Sequence, residues 1–331
     1  MKRVLSLIVA VLLCVLLFAG CGQSKEDSTR LEIVCTVFPQ YDFIRNIAGD
    51  KVNVRMLVPL GTESHDFKLE NLTVAELKMI AAADLVVYVG GESDESWITE
   101  LHSTVNSDAK WCAMTDFTPT LEEIISESME SEHEHEHEHE HEHEHEDGET
   151  RHEGDAFDEH VWTSPKRAVD IVNALTDILC ELDGENEQFY KKNCMSYISQ
   201  LEILDKELSA VSSNNGSKKL VFGDRFPFRY LCADYGLQFD AAFPGCSAVS
   251  DPSVKQIASL VKSATESGTK TVFYMENSNP VFAEIIAEKI GGKAVLLHSC
   301  HTLSRKELDS GLNYLKLMKQ NIERIKESLN G

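Results

Sequence analysis

The fold is decided by one stretch near the middle of the chain, residues 185–211, which reads ENEQFYKKNCMSYISQLEILDKELSAV. Its apolar side chains recur at alternating spacings of four and three residues, at Tyr190, Cys194, Tyr197, Leu201, Leu204, Leu208 and Val211. Because this spacing places them on one face, it predicts a single amphipathic helix. At the rise of an α-helix, such a stretch spans roughly 40 Å. That length is enough to join two lobes, with a long packing helix inside one domain as the alternative.

Strand-like and helix-like segments alternate on both sides of this helix. Predicted strands lie at 31–36, 52–58, 84–90, 219–222, 237–242, 271–275 and 294–298. Predicted helices lie at 41–48, 73–83, 165–182, 226–235, 254–267, 281–290 and 304–329. Alternation with short connections is typical of parallel sheets with crossover helices. The sequence therefore predicts an α/β protein with two parallel-sheet lobes, residues 31–184 and 214–331, joined by a long rigid helix over 185–213.

Candidate metal ligands follow the predicted strands. Parallel α/β lobes bind ligands at the carboxyl ends of their strands, so we expect a site in the cleft between the lobes. Four loops carry suitable side chains, at His65, at His160, at Asp224, and at His298 with His301. Imidazoles with a carboxylate suit a tetrahedral Zn²⁺ or Mn²⁺ site. A single loop histidine is typically a surface or capping residue, but four such loops at strand ends favour a metal site.

A tract of alternating acid and imidazole interrupts the first lobe. Residues 132–146 read EHEHEHEHEHEHEHE, within a predicted loop over 131–150. Its histidines are His133, His135, His137, His139, His141, His143 and His145. So polar a repeat cannot form a core, and imidazoles beside carboxylates attract borderline metals such as Zn²⁺. We interpret it as an auxiliary metal-collecting loop, with an acidic linker or an internal purification tag as alternatives.

The N-terminus has the pattern of a secretion signal. Lys2 and Arg3 precede an apolar run that ends in Ala19-Gly20-Cys21. A cysteine after small residues resembles the bacterial lipobox, which predicts a signal peptide over 1–20, lipidation of Cys21 and a polar tether over 21–30. An ordinary signal peptide or a single membrane anchor is the alternative, although the run is short for a span.

Charge and cysteine usage exclude some classes of function. The formal net charge is −24, with 55 acidic against 31 basic residues and no basic patch. Nucleic acid is therefore excluded as a partner, whereas the acidity suits attraction of cations. Seven cysteines follow Cys21, without a CxxC pair, and this odd count argues against a complete disulfide framework.

The motifs together resemble those of a known family, the metal-binding (cluster A-I) substrate-binding lipoproteins of bacterial ABC importers, in their zinc branch. The resemblance covers nearly everything after the leader. It is carried by Val58-Pro59 through Ser64-His65-Asp66-Phe67, by Ala82 to Trp97, by Asp158-Glu-His160-Val-Trp162-Thr-Ser-Pro165, by the His/Glu tract, by Tyr235-Gly-Leu237, and by Tyr314, Met318 and Asn321. It implies that His65 and His160 are metal ligands.

At the third and fourth ligand positions the chain departs from the family. Arg225 stands where the family usually has a histidine, and a guanidinium has no lone pair to give, although Asp224 beside it has. The family's fourth ligand falls near His298, which we expect to supply the missing imidazole. His301, Cys300 and Cys246 are further candidates at these two positions. Glu276 is expected to hydrogen-bond a ligand imidazole, or else to cap a helix or form a salt bridge.

The resemblance implies a binding protein and not an enzyme. We expect a monomeric, extracytoplasmic protein, lipid-anchored to the bacterial cell membrane, that captures Zn²⁺ and delivers it to an ABC permease and its ATPase. A manganese-binding member of the family and a surface metal buffer or adhesin are alternatives with the same chemistry. A secreted zinc hydrolase is the alternative from another class. The sequence has no HExxH on a predicted helix to support it.

Overall fold

The first lobe is built on a four-stranded parallel sheet. The computed structural model describes residues 30–62, 67–105, 108–126, 128–129, 157–213, 219–247 and 251–330. In chain order the first sheet and its helices are β1 (Leu31–Cys35), α1 (Phe38–Ala48), β2 (Val52–Met56), α2 (Val74–Ala81), β3 (Leu85–Tyr88), α3 (Glu92–Thr104) and β4 (Lys110–Ala113). The strands pair in the order β2-β1-β3-β4. Leu85, Val86 and Val87 of β3 are fully buried, as expected where helices cover both faces of a parallel sheet.

Two short strands and two helices connect this sheet to the second lobe. They are β5 (Leu121–Glu122), β6 (Phe157–Asp158), α4 (Pro165–Leu182) and α5 (Glu187–Ser212). Strands β5 and β6 pair antiparallel. In the part of the chain that the structure describes, short 3₁₀ helices lie at Leu69–Asn71, Met114–Phe117, Val161–Thr163 and Gly184–Asn186.

The second lobe repeats the alternation. Its elements are β7 (Leu220–Phe226), α6 (Arg229–Tyr235), β8 (Phe239–Pro244), α7 (Val254–Ser267), β9 (Thr271–Tyr274), α8 (Val281–Lys289), β10 (Lys293–Leu296), α9 (Arg305–Asp309) and α10 (Tyr314–Asn330). The strands are parallel, in the order β10-β9-β7-β8. Strand β7 has an irregularity between Phe222 and Arg225.

Helix α5 is the long helix predicted from the apolar spacing. Six of the seven stripe residues are buried, and Val211 near its end is partly buried. The helix packs against α4, α1 and α10. The Tyr197 hydroxyl donates to Asp42 in α1 (3.3 Å) and the Tyr235 hydroxyl in α6 donates to Asp205 (2.8 Å). Helix α5 therefore contacts elements of both lobes, and the predicted two-lobe α/β architecture with a long helix is confirmed.

Three local predictions were incomplete or wrong. Helix α3 and strand β4 were not predicted at all. The closing helix predicted over 304–329 is two helices, because Gly311 between them takes a left-handed conformation with φ of 77°. Strand β7 continues to Phe226, so α6 begins only at Arg229. Among the helices of the described residues, none is long and apolar enough to cross a membrane.

Candidate metal site

A small cavity lies where the second sheet meets a segment of the first lobe. Its volume is about 10 Å³, roughly that of one water-sized sphere. It is lined by His160, Arg225, Pro227, Gly245, Met275, Glu276, Ser299, His301 and Thr302. Apart from His160, these residues lie at the carboxyl ends of β7, β8 and β9 or in the loop after β10. The cavity therefore occupies the edge of the sheet where parallel α/β lobes bind ligands.

His160 enters the cavity from the segment between β6 and α4. The residue is buried, with 1% of its surface exposed. Its backbone N–H donates to Asp158 Oδ1 (2.8 Å), and the same oxygen lies 3.1 Å from His160 Nδ1. A carboxylate that holds one ring nitrogen of a histidine fixes the ring and leaves the other nitrogen to ligate. Asp158 is therefore well placed to orient His160 as a ligand.

His301 approaches His160 from the other lobe. The centroids of the two rings are 5.8 Å apart at an interplanar angle of 88°, and the ring of Trp162 lies 5.1 Å from that of His301. Cys300, just before it, takes φ of 62°, a left-handed conformation that turns the loop. The His301 backbone N–H donates to Ser299 Oγ (3.2 Å). The loop after β10 is thus folded so that His301, and not His298, lines the cavity.

Glu276 ties this loop to the end of β9. Its carboxylate accepts from the Ser299 N–H at Oε2 (2.8 Å) and from the Ser299 hydroxyl at Oε1 (2.5 Å). Oε1 also lies 3.4 Å from Nδ1 of His298. Glu276 had been predicted to hydrogen-bond a ligand imidazole, and in the structure it is itself part of the cavity wall.

His298 and Asp224, two of the predicted ligands, are not among the lining residues. The backbone of His298 is held by Asn321, which accepts from its N–H (2.9 Å) and donates to its carbonyl (2.7 Å). Nδ1 of His298 accepts from the Cys300 N–H (2.9 Å), and its Nε2 is buried without a hydrogen-bond partner among the described residues.

Asp224 is occupied by backbone donors. Its Oδ1 accepts from the Arg225 N–H (2.8 Å) and its Oδ2 from the Met275 N–H (3.1 Å). The side chain therefore holds the end of β7 against the end of β9, and an ion would have to share its oxygens with these two donors. His65, Cys21 and the seven histidines of the tract lie outside the described residues.

Sequence reasoning did not single out two acids of this region, Glu159 beside His160 and Asp94 near Glu159. Glu159 is fully buried, and a carboxylate oxygen of Glu159, a ring nitrogen of His160 and Sγ of Cys246 all lie within 4.8 Å of one another. Burial raises the pKa of Asp94 to about 7, and the nearby Glu159 carboxylate acts in the same direction. The position of Glu159 inside the Asp-Glu-His motif was a usable signal, whereas Cys246 was named only as a further candidate and has no local pattern that places it beside His160.

The chain is similar to zinc-uptake proteins of known families. Residues 33–328 match the family described as zinc-uptake complex component A periplasmic, ZnuA. The high-affinity zinc uptake system protein ZnuA of Bacillus subtilis is 32% identical, over 96% of this chain and 95% of its own length. The zinc-binding lipoprotein AdcA of Streptococcus pneumoniae is 29% identical over 99% of this chain, which spans 61% of that longer relative.

Solved structures give the same result. The Zn(II)-bound ZnuA-like domain of Streptococcus pneumoniae AdcA superposes with a TM-score of 0.71 at 27% identity, covering 91% of this chain and 100% of that domain. The metal-dependent lipoprotein YcdH of Bacillus subtilis gives a TM-score of 0.70 at 28% identity, covering 90% and 99%. With the family match over nearly the whole chain, these likenesses establish that the chain belongs to the ZnuA family.

Proposed function

We propose that this chain is the extracytoplasmic zinc-binding component of an ABC importer, and that the cavity beside His160 holds the ion. The observation that supports this function most directly is that one cavity has both the volume of a single ion and side chains that can ligate it. A cavity with room for about one water-sized body is bounded by two imidazoles and a carboxylate, from His160, His301 and Glu276. That is room for an ion and a donor set for Zn²⁺, but not for an organic solute.

The ligand set proposed here combines His160 with His65, which precedes the described residue Phe67 by two positions. His301 is the second-lobe imidazole that the cavity lining favours. His298 and Asp224 stay candidates, but the lone pair of the His298 ring already accepts from the Cys300 N–H, and the Asp224 oxygens would be shared with two backbone donors. In this arrangement the first lobe contributes His65 and His160, and the second lobe contributes the remaining ligands. Binding of the ion is therefore coupled to the contact between the two lobes.

The remaining parts of the chain fit delivery rather than turnover. The family that the chain matches is described as a zinc-uptake component. A permease and its ATPase would receive the ion, a lipid on Cys21 would hold the protein at the membrane, and the His/Glu tract would raise the local concentration of zinc. A manganese-binding member remains the second candidate, because Glu276 and Glu159 supply the oxygen donors that Mn²⁺ accepts.

Zinc titration in the presence of a competing chelator tests this function, since the chelator masks the weaker sites of the tract. The expected result is one tight Zn²⁺ per chain, bound on the order of 100-fold more weakly by His160→Ala. The matched control is His102→Ala, because His102 is an exposed histidine on α3. Equal tight binding by His160→Ala would contradict the assignment of the cavity, and displacement of zinc by equimolar Mn²⁺ would favour the manganese alternative.

A further inference from the structure

We infer that Cys246 supplies a thiolate ligand to the ion, which deepens the proposed function and rests on it. The Cys246 sulfur, a ring nitrogen of His160 and a carboxylate oxygen of Glu159 already lie within 4.8 Å of one another. Donors on a tetrahedral zinc ion are about 3.5 Å apart, given Zn–N and Zn–S bonds of about 2.0 and 2.3 Å. The three groups would need to close by only about an ångström to share one ion.

The turn that carries Cys246 is built against the ring of His160. A Cβ added at Gly245 would lie 3.0 Å from His160 Cε1, 3.2 Å from Nδ1 and 3.0 Å from the Phe226 carbonyl oxygen. The backbone at Gly245 is not left-handed, so a glycine is needed here for close approach and not for its conformation. The Ser247 N–H closes the turn on the Pro244 carbonyl (3.4 Å). Strand β8 therefore delivers residue 246 to the side of His160.

The positive charge of Arg225 in the cavity wall also favours a negatively charged ligand for the ion. Arg225 lines the cavity and is a permanent cation that opposes a second cation and has no lone pair to offer. The Glu276 carboxylate, which also accepts from Ser299 at both oxygens, balances the charge of Arg225 but leaves the charge of the ion to be balanced by another donor. A thiolate adds negative charge within reach of His160. On binding, the Cys246 S–H proton leaves to solvent, and the electron pair that remains on sulfur forms the bond to zinc.

A thiolate has a consequence for the choice of metal. Soft sulfur ligands favour Zn²⁺ over Mn²⁺, whereas oxygen ligands suit both. If Cys246 ligates, the site is selective for zinc despite the nearby carboxylates of Glu276 and Glu159, and loss of the thiol is expected to reduce the ratio of zinc affinity to manganese affinity.

Cobalt substitution of the intact chain provides the direct test. Co²⁺ bound to a thiolate gives a sulfur-to-metal charge-transfer band in the near ultraviolet, and the His/Glu tract cannot contribute because it contains no cysteine. We expect the band to saturate at one Co²⁺ per chain and to disappear on addition of one equivalent of Zn²⁺. Cys246→Ser should lack the band and bind zinc on the order of 100-fold more weakly. The matched control Cys180→Ser, a partly exposed cysteine of α4, should keep both.

Two further measurements keep the outcome decisive if Cys246→Ser folds poorly. Cys246→His should recover tight zinc binding without the charge-transfer band. In the unsubstituted protein, one equivalent of Zn²⁺ should protect Cys246 from alkylation while Cys180 reacts at its former rate. The thiolate would be overturned, and the proposed function left intact, if Cys246→Ser kept the charge-transfer band and bound zinc as tightly as the unsubstituted protein. Alkylation of Cys246 at the same rate with and without Zn²⁺, in a protein that binds zinc tightly, would have the same meaning. Absence of any tight zinc site in the intact chain would instead overturn the proposed function.

Discussion

The two sheets have the same topology but use their strand ends differently. With the strands of each lobe numbered along the chain, both sheets have the order 2-1-3-4. In the first lobe, Gln40 accepts from the Thr36 N–H (2.8 Å) after β1, and Asp94 accepts from the Gly90 N–H (3.0 Å) after β3. These side chains close their own loops.

In the second lobe the corresponding strand ends, after β7 and β9, face the cavity with Arg225 and Glu276. Among the described residues, the first lobe reaches the cavity through His160, which lies outside its four-stranded sheet. At these two strand ends, the same topology therefore carries polar lining residues in the second lobe and self-capped loops in the first. The difference is set by the side chains of a few loop residues and not by the fold.

The largest effect is expected at the seam between the lobes, at Trp162. This side chain is fully buried, its Nε1 donates to the Ser299 carbonyl (2.9 Å), and its own carbonyl accepts from the Tyr314 hydroxyl (2.5 Å). Trp162→Ala should lower the free energy of unfolding by about 3–5 kcal/mol, measured by urea denaturation. Ile203→Ala, at a side chain of α5 that is 55% exposed, should change it by less than about 0.5 kcal/mol. Similar losses in the two variants would mean that the seam does not stabilise the protein.

Equivalent helices of the two lobes carry acids in unlike surroundings. In α6, Asp234 pairs with the Arg167 guanidinium (3.0 Å). In α1, Asp42 is buried and accepts from the Tyr314 N–H (3.3 Å), and burial raises its pKa to about 6 although this N–H and the Tyr197 hydroxyl oppose the shift. Between about pH 4 and pH 6 the folded chain keeps a proton on Asp42 that the unfolded chain has lost, so stability falls as pH rises through this window.

Removing the ionisable carboxyl of Asp42 should remove its contribution to the pH dependence of the free energy of unfolding. The shift from 3.8 to about 6 corresponds to about 3 kcal/mol at about 1.4 kcal/mol per unit. Relative to the unsubstituted protein, Asp42→Asn should therefore gain up to about that much in free energy of unfolding between pH 4 and pH 7. Urea denaturation across this range measures it, with Asp50→Asn at an exposed acid after α1 as the control. Parallel profiles for Asp42→Asn and the unsubstituted protein would disprove the raised pKa.

The first strands of the two sheets differ at Gly223. Strand β7 extends over seven residues against five in β1, and it is irregular where Gly223 lies. A Cβ at Gly223 would lie 2.7 Å from Cα and 2.8 Å from N of Ala283 in α8, which are backbone atoms of a packed helix. Gly223→Ala should therefore cost about 2 kcal/mol by thermal denaturation.

The control for Gly223→Ala is Gly184→Ala, a glycine-to-alanine change outside the sheets. Apart from its chain neighbours, no described residue comes within 4 Å of a Cβ built at Gly184, so the variant should be unchanged or slightly more stable. If Gly223→Ala and Gly184→Ala have the same melting temperature, α8 adapts at little cost in free energy. The close packing of β7 against α8 would then not be what distinguishes the second sheet.

Most of the fold could be predicted because long apolar stripes report burial directly. Helix α5, predicted over 185–211, runs over 187–212, and α7 lies at 254–267 as predicted. Helix α3 and the four-residue strand β4 escaped prediction because neither has a long enough pattern. The break at Gly311 escaped because apolar residues continue in register across it, at Leu308, Leu312 and Leu315.

The candidate site could be predicted in place but not in detail. The cavity lies at strand ends that the sequence pointed to, because parallel sheets expose their loops there. Which histidine of the last loop reaches the cavity depends on the left-handed Cys300 and on the bonds between Ser299 and Glu276. Whether Asp224 can act as a ligand depends on two backbone N–H groups. Such contacts between distant segments have no signature in local sequence.

The smallest effect is expected at the N-terminal caps of two equivalent helices, one in each lobe. Helices α2 and α7 occupy equivalent positions, and both begin with a capping box, from Thr73 with Glu76 and from Ser253 with Gln256. The Glu76 carboxylate accepts from the Thr73 N–H (2.7 Å) near the surface. Gln256 makes the same bond to Ser253 (2.9 Å) but is buried, and its amide also donates to the Ala242 carbonyl (3.0 Å) at the end of β8.

Removing the two caps should therefore have unequal effects. Glu76→Ala loses a solvent-accessible hydrogen bond that water replaces, whereas Gln256→Ala also leaves a buried carbonyl without its donor. We expect Gln256→Ala to lower the free energy of unfolding by about 1 kcal/mol more than Glu76→Ala, measured by urea denaturation of both variants. Equal losses would mean that the Ala242 carbonyl finds another donor. The larger loss at Gln256 would show that the second lobe has tied a helix cap to β8, the strand whose end carries Gly245 and Cys246 to His160.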